Sequence, residues 1–263
     1  MFKRFIKGLV IVLPCVSVFS LTYADENIKN KPVYQGQVSA IDKPIIIRYT
    51  PLSERQTIDS ITIFGKINDR VIEEKSIGRG AIEILKDNEN LNLVISAFTT
   101  ELINKNGKET ITDNLKMSFD ISPFGKVHDF SLYSPELTPK EIQQTKEVMS
   151  GMVKEVIVQF PASGIETGYE FKADFDLGGM ELKGTGTVLG KTIFNDREAI
   201  VIDYRGPLSL LVINRKKIKG TFDGYYILDT ATGVFAYSEV YLQAKFSHKN
   251  KINFYRTVTT KIH

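Results

Sequence analysis

A single cysteine, Cys15, no tryptophan and only three histidines occur in 263 residues. Cys15 lies in an N-terminal segment expected to be removed, so the folded chain would have neither a disulfide nor a thiolate metal site. The histidines, His128, His248 and His263, stand far apart and at no metal-ligand spacing. No serine occupies a Gly-x-Ser-x-Gly turn, so a nucleophilic hydrolase has no local signature. The chain also lacks a true charge surplus. Lys and Arg exceed Asp and Glu by three, and Lys3, Arg4 and Lys7 account for all of it. The remainder is neutral, which excludes the clustered basic field of a nucleic-acid binder.

Long apolar runs are scarce too. One covers Gly8 to Leu21 and is interrupted by Pro14, shorter than the roughly 20 residues a membrane-spanning helix needs. A basic start, this apolar stretch and Thr22-Tyr23-Ala24 before Asp25 form the three-part plan of a secretory signal peptide. Residues 1–24 are therefore expected to be cleaved between Ala24 and Asp25. Export follows, to the periplasm or out of the cell, with no transmembrane segment in the mature chain. Lipid anchoring at Cys15 is not expected, because Pro14 stands where a lipoprotein signal wants a small residue.

What is present, over residues 25–263, is period-two alternation. From Lys217 onward, Ile218, Gly220, Phe222, Gly224, Tyr226 and Leu228 fall on one side, and Lys219, Thr221 and Asp223 on the other. Asp229-Thr230-Ala231-Thr232-Gly233 then reads as a turn ending in a glycine at positive φ. Val234 to Phe246 alternates again, as does Ile252 to Ile262. Further arms read at Ile45–Tyr49, Ile58–Ile67, Ala81–Leu85, Leu91–Ile103, Leu115–Ile121, Val127–Tyr133, Tyr169–Leu177 and Ile200–Tyr204. Asn104 to Gly107, Pro123 to Gly125, Gly178-Gly179 and Asn195-Asp196 punctuate them, and such short turns imply antiparallel pairing. One segment departs from the pattern. Thr138-Pro139-Lys140-Glu141 is a capping box with proline at the first helical position, and Ile142, Thr145, Met149, Met152 and Val156 recur at helical spacing. The fold expected is mainly β: a strongly curved antiparallel half-barrel meander of about 10–12 strands. One amphipathic helix, residues 138–158, would pack on its concave face. It would be a single domain, or two β-halves, 44–135 and 165–262, joined by the helix.

The remaining candidate motifs favour structural readings. Gly184-Thr185-Gly186-Thr187-Val188-Leu189-Gly190 lacks the lysine and the following helix of a phosphate loop, so its glycines are expected to mark a bend or the close approach of something bulky. The carboxylate pairs Asp174/Asp176 and Asp196/Glu198 read as the wet face of strands, and Arg215-Lys216-Lys217 as a solvated edge. No cofactor or metal is expected.

The C-terminal stretch, Gly220-Thr221-Phe222-Asp223-Gly224 leading into Asp229-Thr230-Ala231-Thr232-Gly233, is similar to the terminal hairpin of exported bacterial β-rich families of unknown function. The assembly of parts resembles the clamshell of the periplasmic lipoprotein carriers and related lipid-binding lipoproteins. That resemblance implies an apolar cavity holding a hydrophobic, lipid-like ligand and no catalysis. The lining residues would be Met149, Met152 and Val156 on the helix, with Phe222, Tyr226, Val240 and Leu242 on the sheet. Two alternatives stay open. A solid β-core would instead make an envelope protein-interaction module, and a hydrolase would need a site, around His128, that the sequence does not display.

Overall fold

The computed structural model describes residues 32–65, 74–104, 107–135, 137–143, 146, 157–176, 180–211, 217–245 and 251–261. Among the described residues, eleven strands form one antiparallel sheet. They are β1 (Gln56–Gly65), β2 (Glu74–Asp87), β3 (Asn90–Asn104), β4 (Gly107–Ile121), β5 (Val127–Tyr133), β6 (Glu170–Asp176), β7 (Met180–Phe194), β8 (Arg197–Leu211), β9 (Lys217–Asp229), β10 (Phe235–Lys245) and β11 (Lys251–Lys261).

Their spatial order is β5-β4-β3-β2-β1-β11-β10-β9-β8-β7-β6. The two expected β-halves are thus two meanders fused into one sheet by the antiparallel β1–β11 pair. The sheet does not close, and its free edges are the two seven-residue strands β5 and β6. Short edges offer little backbone for unwanted strand addition.

Alternation sorts the two faces. Phe222, Tyr226 and Leu228 on β9 are buried, while Lys219 and Thr221 are exposed. Residues from both wings share one contiguous core, including Ile84, Met117 and Phe119 on one side and Ile200, Tyr204 and Phe222 on the other. Both wings therefore turn their apolar face toward the same interior, the sense in which the sheet is curved. Local turn chemistry sets the registers. Asn195 and Asp196 adopt φ 49° and 61°, a two-residue connection that matches the right-handed twist of β7 and β8. Asp196 thus sits in a turn and not on a strand beside Glu198, and both are exposed.

The β9–β10 turn is the best-tied connection. Gly233 takes φ 71° and donates its amide to the Asp229 carbonyl at 3.0 Å. Asp229 Oδ1 accepts from the Thr232 amide at 2.8 Å and from the Thr232 hydroxyl at 2.7 Å. Arg197 Nε donates to Asp229 Oδ2 at 2.6 Å. Burial opposes ionisation of Asp229, but these donors together outweigh it and hold the carboxyl below its ordinary range.

Ile45 to Tyr49 does not form a strand. Its alternation is real, with Ile47 and Tyr49 buried and Ile46 and Arg48 exposed, but the chain runs across the strand ends and not beside one strand. Successive backbone partners therefore come from different elements. Ile45 bridges Ile165, the Tyr49 amide donates to the Pro123 carbonyl at 2.8 Å, and the Leu52 amide donates to the Ile84 carbonyl at 3.0 Å. This N-terminal strap begins on the outer face, where the Tyr34 ring lies 5.5 Å from that of Tyr225 and the Tyr34 hydroxyl lies 2.9 Å from Thr192 Oγ1. It then rounds the sheet end to deliver Ile41, Ile47 and Tyr49 into the core.

A second strap, residues 157–169, crosses the same end. The Phe160 amide donates to the Phe124 carbonyl at 2.9 Å, and the Phe160 ring packs 5.5 Å from Tyr49. Between β5 and this strap, residues 139–143 and 146 are helical. The capping box forms: the Thr138 amide donates to Glu141 Oε2 at 2.9 Å and the Glu141 amide to Thr138 Oγ1 at 3.3 Å. Ile142 packs against the core. Among the described residues, no helix is long and apolar enough to cross a membrane.

Candidate functional site: the inner face of the open sheet

The inner face is apolar and, on the β7–β10 side, aromatic. Tyr204 lies with its ring centroid 4.9 Å from Phe222 and 5.5 Å from Tyr226, and Tyr226 lies 5.0 Å from Phe235. The strands make room for these rings by omitting side chains beside them. A Cβ at Gly184 would stand 2.6 Å from both Phe222 Cζ and Tyr204 Oη, so the Gly184–Gly190 segment is a seat for two rings and not a phosphate loop. Gly184→Ala forces those rings to move, with an expected cost of about 1–3 kcal/mol. Urea unfolding of the variant checks this, and an unchanged midpoint would show that the seat has slack.

Of the seven residues expected to line the interior, the structure brings four together. Phe222, Tyr226 and Val240 are members of the core cluster, and Leu242 is partly buried against it. Strand pairing places them side by side, with Leu242 opposite Phe222, and Ser238, next on that face to Val240, opposite Tyr226. Met149, Met152 and Val156 lie outside the described residues, as do Ala24, Asp25 and Cys15.

Among the described residues, two straps plug one end of the face. The backbone hydrogen bonds of the two straps to the sheet and its turns fall on Pro123, Phe124, Ile84, Thr232, Lys191 and Val188, toward the end that carries the β2–β3, β4–β5, β7–β8 and β9–β10 turns. Tyr49 and Phe160 seal it. Burial pushes the Tyr49 phenol above its ordinary pKa, a shift that a backbone hydrogen bond to Val158 only partly offsets. On β2 the N-terminal strap bonds the Ile84 carbonyl, about eight residues, or roughly 26 Å of strand, from Ser76.

In that distal half the inner face carries two buried hydroxyls. Ser76 is 4% exposed and Thr100 is fully buried, and neither Ser76 Oγ nor Thr100 Oγ1 has a hydrogen-bond partner among the described residues. Ser76 shares its face of β2 with Ile82 and Ile84. Thr100 stands opposite Gly78, and Leu102 opposite Ser76, so the two hydroxyls are diagonal neighbours. Sequence reading missed both. Counting on by twos from Leu91, Leu93 and Ile95 puts Thr99 inward and Thr100 outward, but against β2 the pairing passes from Gly80↔Ala97 to Arg79↔Thr99, an extra residue in β3 that swaps them. Ser76 precedes Gly78 and Gly80, where no apolar side chain marks the inner face.

His128 is exposed on edge strand β5. Among the described residues, no group of three or more His, Cys, Asp or Glu is placed to hold a metal ion. Asp174 and Asp176 pair with Lys183 and Glu181, while Arg215 and Lys216 lie outside the described residues.

No protein-family model matches the chain and no curated protein matches it. A solved structure of lipovitellin, from work on lipid–protein interactions in that protein, superposes with a TM-score of 0.47 at 12% identity, over 79% of this chain and 25% of that one. The chain thus spans about a quarter of the lipovitellin chain.

Proposed function

We propose that the protein is a non-catalytic, exported binder of a hydrophobic, lipid-like molecule, held against the inner face of the sheet. One observation carries the reading: an eleven-stranded sheet that stays open between β5 and β6 gathers the apolar faces of both wings around one interior. Strands of up to 15 residues extend roughly 50 Å, long enough to lie beside an acyl chain. Apolar surface of this kind favours an acyl chain, because transferring the chain from water onto it is favourable. Export rests on the leader-like residues 1–24, and a periplasmic location would put the protein beside the lipids of the envelope.

Titration with cis-parinaric acid tests the reading. The expected result is a saturable rise in fluorescence that unlabelled palmitate reverses. If neither this probe nor the pure hydrocarbon diphenylhexatriene binds displaceably, the interior is filled by the chain itself and the protein is better understood as a solid-cored interaction module.

A further inference from the structure

We infer that the two straps form one crossbar: an antiparallel ribbon that ties opposite edges of the open sheet together, opens and closes as a unit, and sets the width of the gap between β5 and β6. The inference rests on contacts within the chain and not on the proposed ligand.

Partners along the two straps run in opposite directions. The Ile41 amide donates to Thr167 Oγ1 at 2.8 Å, Ile45 and Ile165 exchange both backbone hydrogen bonds at 2.9 Å, and the Tyr49 ring packs 5.5 Å from that of Phe160. As one strap advances from Ile41 to Tyr49 the other recedes from Thr167 to Phe160, the antiparallel order of a strand pair without its continuous ladder. Both straps also meet the same element at each end. At one end the Tyr49 amide donates to the Pro123 carbonyl at 2.8 Å and the Phe160 amide to that of Phe124 at 2.9 Å, consecutive residues of the β4–β5 turn. At the other, Ser39 exchanges two bonds of 2.9 Å with Lys191, while Gly168 and Tyr169 bond Val188 at 2.8 and 2.9 Å, all on β7.

β4 and β7 stand next to the two free edges, β5 and β6. Along the sheet they are separated by eight successive strand pairings, each of which can twist, whereas the ribbon joins them directly. Its junctions are built for close approach. Gly125 has φ 82°, and a Cβ there would overlap the Val158 carbonyl oxygen and stand 2.8 Å from the Tyr49 ring, so that one atom would touch both straps. Gly164 has φ 86°, and a Cβ there would stand 3.0 Å from the Ile45 carbonyl oxygen. Isolated bonds hold the ribbon where ladders hold the strands, so it belongs to the less stable part of the fold and opens first.

Native-state hydrogen exchange tests the unit, and the distance across the gap tests its role. In the wild type the amides of Ile45, Tyr49, Phe160 and Ile165 are expected to share one opening free energy, below that of the β8–β9 ladder. Gly125→Ala and Gly164→Ala, at different junctions, should each speed the exchange of all four by a common factor, roughly tenfold from the left-handed backbone alone. Four separate rates, rates equal to those of the ladder, or an acceleration in Gly164→Ala confined to Ile45 and Ile165 overturns the single unit. Spin labels at Ser131→Cys on β5 and Lys172→Cys on β6, both exposed positions, in a chain that also carries Cys15→Ser, read the gap. A narrow distance distribution is expected with wild-type straps, and a broader, longer one in Gly125→Val/Gly164→Val, where valine at positive φ releases them. An unchanged distribution in that variant, with its four strap amides unprotected, shows that the ribbon braces nothing and overturns the inference. Strap amides still protected in it, or a β8–β9 ladder that has lost protection too, overturns it as well, because the junctions then have slack or the straps are inseparable from the sheet.

Discussion

Asp229→Ala is expected to destabilise the protein by about 3 kcal/mol, at the lower end of the cost of removing one partner of a buried ion pair. The lower end applies because the Arg197 side chain is 33% exposed and regains some hydration, whereas that of Asp229 is 2% exposed. The substitution removes the acceptor of the Thr232 amide, the Thr232 hydroxyl and the Arg197 guanidinium together. It therefore loosens the β9–β10 turn that the N-terminal strap also grips, through the Thr50 amide and the Thr232 carbonyl at 3.3 Å.

The same contacts give a pH signature. The folded-state pKa of Asp229 is lowered, so its contribution is fully present above the ordinary carboxylate value of about 3.9 and is lost as pH falls through the lower folded value. Urea unfolding of wild type and Asp229→Asn should show the largest difference near neutral pH and a shrinking one on acidification below about pH 4. A difference that is constant across that range would show that the ionised carboxylate is not what ties the turn.

Phe222→Ala is expected to cost about 3–5 kcal/mol, comparable to or larger than the loss at Asp229. The ring is 1% exposed, packs against Tyr204 and occupies the space Gly184 leaves open. The neighbouring strands cannot collapse into the void without breaking their pairing, so most of the cavity persists. Leu242→Ala, one strand over and only partly covered, should cost less than half as much. Thermal unfolding of the two variants side by side separates wall from lining. Equal losses would mean that Leu242 is as much a part of the packed core as Phe222, leaving no open surface beside it.

Much of this architecture was legible in the residues. Ile218 to Gly224 alternates apolar residues or glycine with polar ones, and the structure buries Phe222, Tyr226 and Leu228 on the inner face. Asp229 to Gly233 turns where its glycine demands, and Thr138 caps a helix through Glu141 as the spacing requires. These features are local, set by one residue's backbone preference or by a side chain's reach of three positions. Ile45 to Tyr49 shows where local reading stops. Its alternation is the same as that of a strand, but whether a neighbouring strand lies alongside is decided by distant parts of the chain. Thr100 shows a second limit, since one inserted residue in β3 reverses which side chains face inward.

By itself, then, the sequence determined the strand-rich class, most turns, the helix start and the apolar side of most strands, because each depends on periodicity or on contacts a few residues apart. Only the tertiary structure decided that two meanders fuse through β1 and β11, that two straps cross and plug one end, and that an extra residue in β3 turns Thr100 inward. Those outcomes depend on pairings between residues as far apart as Thr57 and Lys261, which carry no periodic signature of their own. They follow from burying the apolar faces of both wings around a single interior.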